Sequence, residues 1–290
     1  MVITGGLHGN EPAGMLAARA ALAELDRVRS HLSGNVIAFS GNRPALAHGV
    51  RFVARDLNRG WCGAELDRLG RASRGDLASE DVEQRELHEA FTRLERESSR
   101  LMFLDLHTTS GPTEPFVCIS DTPENRALAC ALPVNVVLGL EGTVDTSMLT
   151  WASSRGHVGI SFEAGQHDDP AARRRHISAI WMLLVAVGVI DADHVPGLIA
   201  HRAALEQVTS GGSRVVEVTF RHVVEPGDEF RMLEGFEGFD WVDAGQVVAC
   251  DRRGPVRAPE SGLMLMPRYQ AEGEDGFFLA REVACSTPTG

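Results

Sequence analysis

The chain contains no lysine: all 28 of its basic residues are arginine, a bias that genome composition explains most simply. Against them stand 40 acidic residues, for a formal net charge of −12. Such a surface repels phosphate backbones and anionic lipid, so neither nucleic acid nor a membrane is an expected partner. Long hydrophobic runs are also missing. The longest, Ile180–Ile190, is too short for the roughly 20 apolar residues that span a bilayer, and it reads as a buried helix after an Arg-rich turn. Cysteine is scarce. Five residues, at 62, 118, 130, 250 and 285, form no C-x-x-C pair, which fits reduced, mostly buried thiols of a cytoplasmic protein better than a disulfide framework. No signal peptide is expected, because the chain opens directly on an apolar strand pattern. Internal repeats and low-complexity segments are absent.

What is present is a succession of short apolar runs and helical patterns. Strands are expected at Met1–Thr4, Asn35–Ser40, Leu101–Leu106, Phe116–Ser120, Asn135–Leu140 and His157–Glu163, and helices at Pro12–Arg29, Glu80–Ser98 and Pro170–Val189. This alternation predicts an α/β fold. Leu66–Ala78 shows neither period and is expected to be a surface loop. From Arg214 onward, runs such as VVEVTF, GQVVAC and GLMLMP are separated by Gly, Pro and Asp, so a small β-rich unit follows. The division expected is 1–197 and 198–290, with a loose tail at Ser286–Gly290.

Four segments carry chemistry. In Gly5-Gly6-Leu7-His8-Gly9-Asn10-Glu11, a His and a carboxylate stand three apart where a strand turns into a helix, and the glycines permit a tight path. Alone, this pair reads equally as a surface His and a Glu favoured by the helix dipole. In Leu104-Asp105-Leu106-His107, Asp105 and His107 share one strand face by the period of two, and His107 stands at a strand end, where sites of open α/β sheets gather. Two His and one carboxylate leave a tetrahedral zinc with a position open for water. The segment Arg51–Arg59 offers Asn58 and Arg59 as a fork for a carboxylate, and Asp56 as a partner for the free nitrogen of a metal-bound His. Glu163, in Gly-Ile-Ser-Phe-Glu-Ala-Gly, ends an apolar strand where an idle carboxylate is costly. It could carry protons beside a metal, or equally serve as a helix cap or half an ion pair.

Taken in order, GGLHGNEPAG, RDLNR, DLHTTSG and GISFEAG resemble the succinylglutamate desuccinylase/aspartoacylase family, a branch of the zinc carboxypeptidase-like hydrolases. The resemblance is good over roughly residues 1 to 190 and weaker beyond. It implies a mixed, mostly parallel sheet flanked by helices, followed by a β-rich C-terminal domain that covers the entrance to the site. It implies one zinc ion on His8, Glu11 and His107, and Glu163 as the catalytic glutamate. Arg51 would polarise the scissile carbonyl, Asn58 and Arg59 would grip the α-carboxylate, and Asp56 would stand behind the first zinc His; Asp105, on the strand face it shares with His107, is expected to support that ring. Tyr269, the sole tyrosine, is a candidate to reach the substrate from the β-rich domain, and equally a residue packed at a domain boundary. The implied activity is deacylation of a small N-acyl amino acid-like substrate. Relatives often pair, which makes a homodimer an expectation.

The chain departs from the family in two places. Members carry at least one more strand before the first motif, so either an edge strand is absent or the natural chain begins earlier. In the aspartoacylases proper, an arginine ten residues before the catalytic Glu reads the aspartate side chain. Here Ser153 takes that place, with Arg155 the nearest arginine, so N-acetylaspartate is not expected as substrate. Within Gln166–Asp169, His167 reads as a pocket residue or a stray loop His. Two other functions stay open: a carboxypeptidase acting on peptides or cell-wall fragments, and a non-catalytic relative that binds small carboxylates.

Overall fold

In the computed structural model, which describes residues 1–98, 100–140, 146–209 and 212–284, the apolar runs become strands of one sheet. Cys285 and the tail Ser286–Gly290 lie outside the described residues. The first part of the chain runs β1 (Val2–Gly5), α1 (Pro12–Leu25), β2 (Ile37–Ser40), α2 (Arg43–His48), α3 (Gly63–Arg71), α4 (Ser79–Glu97), β3 (Met102–Thr109) and β4 (Phe116–Cys118). It continues through α5 (Pro123–Ala129), β5 (Asn135–Leu138), α6 (Met148–Ser154), β6 (Val158–Gln166), α7 (Ala172–Ala186) and α8 (Leu198–Glu206). The C-terminal part is nearly all strand: β7 (Val215–Val223), β8 (Arg231–Met232), β9 (Trp241–Val242), β10 (Val247–Asp251), β11 (Gly254–Arg257), β12 (Gly262–Leu265) and β13 (Asp275–Glu282).

The main sheet has the order β2-β1-β3-β6-β4-β5-β7-β13-β12-β9. Strands β2, β1, β3 and β6 are mutually parallel, β4 turns antiparallel to β6, and β5 pairs parallel with both β4 and β7. From β7 on, the pairing is antiparallel. The sheet therefore runs unbroken from the α/β part into the β-rich part, while β11, β10 and β8 form a second, antiparallel sheet. The strand leading to His8 is not left without a neighbour: β1 is flanked by β2 and β3, and β2 is the edge.

Three local expectations need correction. Leu66–Ala78 is not a loop, because α3 extends to Arg71 and a 3-10 turn follows at Arg74–Asp76. Two leucines three apart, Leu66 and Leu69, suffice to seat this short helix, since both drop into the aromatic cluster under it. The helix expected over Pro12–Arg29 stops at Leu25, and the 3-10 segment Asp26–His31 after it buries no residue, so nothing holds the α geometry there. Of the four described cysteines only Cys118 is buried, whereas Cys62, Cys130 and Cys250 are exposed. Those three occupy polar, solvent-facing positions that composition cannot distinguish from core ones.

Each face of the sheet has its own core. One holds α1 and α7 against Leu104, Leu106, Ile160 and Phe162. The other centres on Phe91 of α4, whose ring lies 5.2 Å from Phe103, 5.4 Å from Phe39, 5.8 Å from Trp151 and 5.9 Å from Trp61. Phe91 is fully buried. Phe91→Ala is expected to cost about 3–5 kcal/mol, the transfer term plus the cavity left among rigid rings. Chemical denaturation of the variant checks this, and a loss under about 1 kcal/mol would contradict the packing described. Among the described residues, no helix is long and apolar enough to cross a membrane.

Candidate metal centre

The turn after β1 brings its side chains inward because the backbone is pressed against α2. Gly6 adopts φ +75°, and a Cβ on Gly9 would lie 2.1 Å from the carbonyl carbon of Ala45. Glu11 then occupies the N-cap position of α1, yet its carboxylate caps nothing. One oxygen lies 2.8 Å from His8 Nδ1. The other lies 3.0 Å from His107 Nδ1 and accepts a hydrogen bond from the Thr108 amide at 3.0 Å. His107 arrives on β3, whose parallel register places it beside Glu163 on β6. His8, Glu11 and His107 are all buried, and one ligand atom from each lies within 4.8 Å of the others. Two strand ends and one helix start thus meet at a point.

The far nitrogens settle how the rings are oriented. His8 Nε2 lies 3.1 Å from Asp56 Oδ1, and His107 Nε2 lies 2.8 Å from Asp105 Oδ2. Asp56 is itself held by the Asn58 amide at 2.9 Å and by Arg51 Nη2 at 2.9 Å, and Asp105 by Thr4 Oγ1 at 2.7 Å. A carboxylate accepts, so each ring carries its hydrogen on Nε2 and turns the Nδ1 lone pair toward Glu11. Two lone pairs facing a carboxylate repel unless a proton or a cation lies between them. Burial disfavours charge on His107, but Asp105 and Glu11 outweigh it and raise its pKa well above the ordinary value. Burial likewise opposes ionisation of Glu11, and the two His overcome it, holding the carboxyl well below the usual range. Asp56 behaves in the same way beside His8 and Arg51. A divalent cation would satisfy the same three donors without protons, so the residue set fits a metal ion. Asp105→Asn, which exchanges a carboxylate accepting at both oxygens for a neutral amide that accepts at one, is expected to weaken metal retention about 10–100-fold. Titration with a competing chelator measures it, and unchanged affinity would argue against this orientation of the ring.

Around the centre lies a cavity of about 170 Å³, lined by His8, Glu11, Arg51, Asn58, Arg59, His107, Glu163, His167, Arg268, Gln270 and Asp275, among others. Glu163 faces it, and among the described residues neither oxygen has a hydrogen-bond partner, with Oε2 buried. Burial pushes its pKa up to about 7, with Glu11 and Asp105 adding to the effect and His107 and His8 opposing it. Arg51 borders the His8–Glu11–His107 cluster, with Nη1 3.7 Å from Glu11 Oε1.

The other expected residues fare differently. Asn58 Oδ1 accepts from the Met148 amide at 3.0 Å, which leaves its NH₂ for the cavity. Arg59 does reach the cavity, but its fork is occupied: Nη2 donates to Asp275 Oδ2 at 3.1 Å. Tyr269 is not brought into the site. Its hydroxyl is engaged by Leu233 O, Phe236 O and the Phe236 amide within the β-rich part, and the neighbouring Gln270 faces the cavity instead. Arg155 is committed to Glu95, and Ser153 bonds Ser120. His167 proves to be a pocket residue, with Nδ1 2.8 Å from Thr108 Oγ1 and Nε2 3.4 Å from Gln270 Oε1. Arg268, Gln270 and Asp275 escaped sequence reasoning, since only the pairing of β13 with β7 carries that stretch of chain to the cavity.

Residues 1–179 match the family model of the succinylglutamate desuccinylase/aspartoacylase catalytic domain. A probable aspartoacylase from Acaryochloris marina (strain MBIC 11017) is 29% identical over 171 residues, 57% of this chain and 54% of that protein. The match thus spans about half the length of this curated relative. Among solved structures, succinylglutamate desuccinylase/aspartoacylase from Rhodobacter sphaeroides aligns at a TM-score of 0.67 and 17% identity, over 98% of this chain and 85% of that one. Murine aminoacylase 3 aligns at a TM-score of 0.67 and 18% identity, over 97% of this chain and 94% of that one. At such identities the two structures speak for the fold alone.

Proposed function

Because the chain belongs to the succinylglutamate desuccinylase/aspartoacylase family of hydrolases, we propose that it deacylates a small N-acyl amino acid with the help of one divalent metal ion, zinc by preference of the ligands. The observation that carries this reading is the uncommitted carboxylate of Glu163 facing the same small cavity as the His8–Glu11–His107 cluster. Imidazole and carboxylate donors suit zinc, although other divalent transition metals accept the same set. Bound there, the ion would act as a Lewis acid that acidifies a water and polarises a carbonyl.

The protein's own groups supply the rest. Glu163 takes a proton from the attacking water and returns it to the nitrogen of the leaving amine. Burial raises the pKa of this carboxyl, and a carboxylate with no committed partner is free to accept the proton and give it back. Arg51, half-buried and aligned by Asp56, donates to the carbonyl oxygen as negative charge grows on it, a contribution worth about 3–4 kcal/mol for a donor of this kind. Asp56 and Asp105 keep the two imidazoles turned to the centre. Asn58, through its free amide, and Arg59 help position the substrate's carboxylate. We take residues 1–197 as the catalytic domain and 198–290 as the β-rich domain that covers its entrance, an arrangement suited to small substrates rather than peptides. A metal assay coupled to a hydrolysis screen of N-acyl amino acids against dipeptides tests the reading. Zinc with release of free amine from N-acyl amino acids is expected; cleavage of dipeptides alone would make the protein a carboxypeptidase, and metal-free protein with no hydrolysis would make it a binding protein.

A further inference from the structure

Among the described residues three guanidinium groups line the cavity, and their charges are not balanced alike. Arg51 is paired with Asp56, and Arg59 with Asp275. Arg268 has no carboxylate oxygen within 4.0 Å among the described residues. Asp275, whose charge is felt at Arg268, is held by Arg59 at 3.1 Å and by Arg221 at 2.6 Å. Yet Arg268 is only 7% exposed. Its Nη1 donates to the backbone carbonyl of Gly273, its Cζ lies 5.0 Å from the centre of the Phe230 ring, and among the described residues its Nε is buried with no partner. A buried guanidinium without a counter-charge is costly, and it cannot escape by losing its proton.

The backbone nonetheless works to keep it there. Met266, two residues earlier, sits at φ +47°, an uncommon conformation for a residue with a side chain, and the Arg268 amide is tied to Gly276 O at 2.9 Å. The side chain is thus aimed into the cavity wall by a strained turn and flanked by an aromatic face. Such a site is complete only when an anion arrives from outside.

We propose that Arg268 is a substrate-binding residue that receives the carboxylate of the N-acyl amino acid, a task in which the internally neutralised Arg59 plays the lesser part. This rests on the deacylase reading for the substrate class, and the test keeps the two apart. Binding of N-acetyl-L-alanine and of its uncharged analogue N-acetyl-L-alaninamide is measured by calorimetry on zinc-loaded protein in an E163Q background, where hydrolysis does not interfere. The carboxylate is expected to bind at least about tenfold tighter than the amide. R268Q added to this background should remove that preference, weakening the carboxylate about tenfold or more and leaving the amide unchanged, while R268K should restore part of it. Thermal unfolding of each variant shows whether the fold survives. The assignment is overturned if the parent shows no preference for the carboxylate, or if R268Q weakens both probes alike or neither. Hydrolysis by the protein with Glu163 intact is a separate readout. A carboxylate preference that depends on Arg268, with neither probe hydrolysed, would sink the deacylase reading for these substrates and leave the Arg268 assignment standing.

Discussion

Glu163→Gln should lower turnover of an N-acyl amino acid by about 10²–10⁴-fold while the protein still carries close to one metal ion per chain. The substitution keeps the size of the side chain and removes only its capacity to accept and return a proton. Among the described residues neither oxygen bonds a protein group, so no structural network collapses with that carboxylate. A metal assay and steady-state kinetics on the same preparation separate the two effects. Near-normal hydrolysis by this variant would remove Glu163 from the mechanism, and loss of metal together with activity would make it a ligand instead.

His107→Ala attacks the same centre from the other side. One imidazole of three ligands is worth roughly 3–4 kcal/mol of metal binding, so affinity should drop about a hundredfold to a thousandfold. Turnover should fall to background at ordinary zinc concentrations. Chelation of the wild type should produce the same inactive state, with one difference: added zinc restores the wild type and not the variant. The substitution also leaves Asp105 buried with Thr4 Oγ1 as its remaining side-chain partner, so a lower unfolding temperature is expected alongside. An H107A protein that binds zinc as the parent does would refute the ligand assignment.

The candidate centre was legible in the sequence because each of its pieces is local. His8 with Glu11, and Asp105 with His107, are set by two or three residues of strand or turn geometry, and the structure brings both pairs together as their spacing implied. The α/β order was equally legible, since strands β1, β3 and β6 are plain apolar runs. What could not be read depended on distant pairing or on the surroundings of a single side chain. Asp275 reaches Arg59 only because β13 lies against β7, which lies against β5. The motif around Asn58-Arg59 advertises a free fork and says nothing of an acid more than 200 residues away that fills it. Helix α3 was missed for the opposite reason: its signal is two leucines in a charged stretch, too little for periodicity and enough for packing.

The pairing of His107 with Glu163 on adjacent parallel strands has a consequence for how the protein tolerates change. Their spacing is inherited from the backbone ladder, about 4.8 Å between neighbouring strands, and not from how well side chains fit beneath them. The ladder serves as a ruler that the two hydrophobic cores support and do not calibrate. Sequence drift in those cores should therefore alter how many molecules fold more than how well each folded molecule works. Yield and specific activity become nearly independent traits, and mutations that lower both at once should concentrate on β3, β6 and the turn at Gly9.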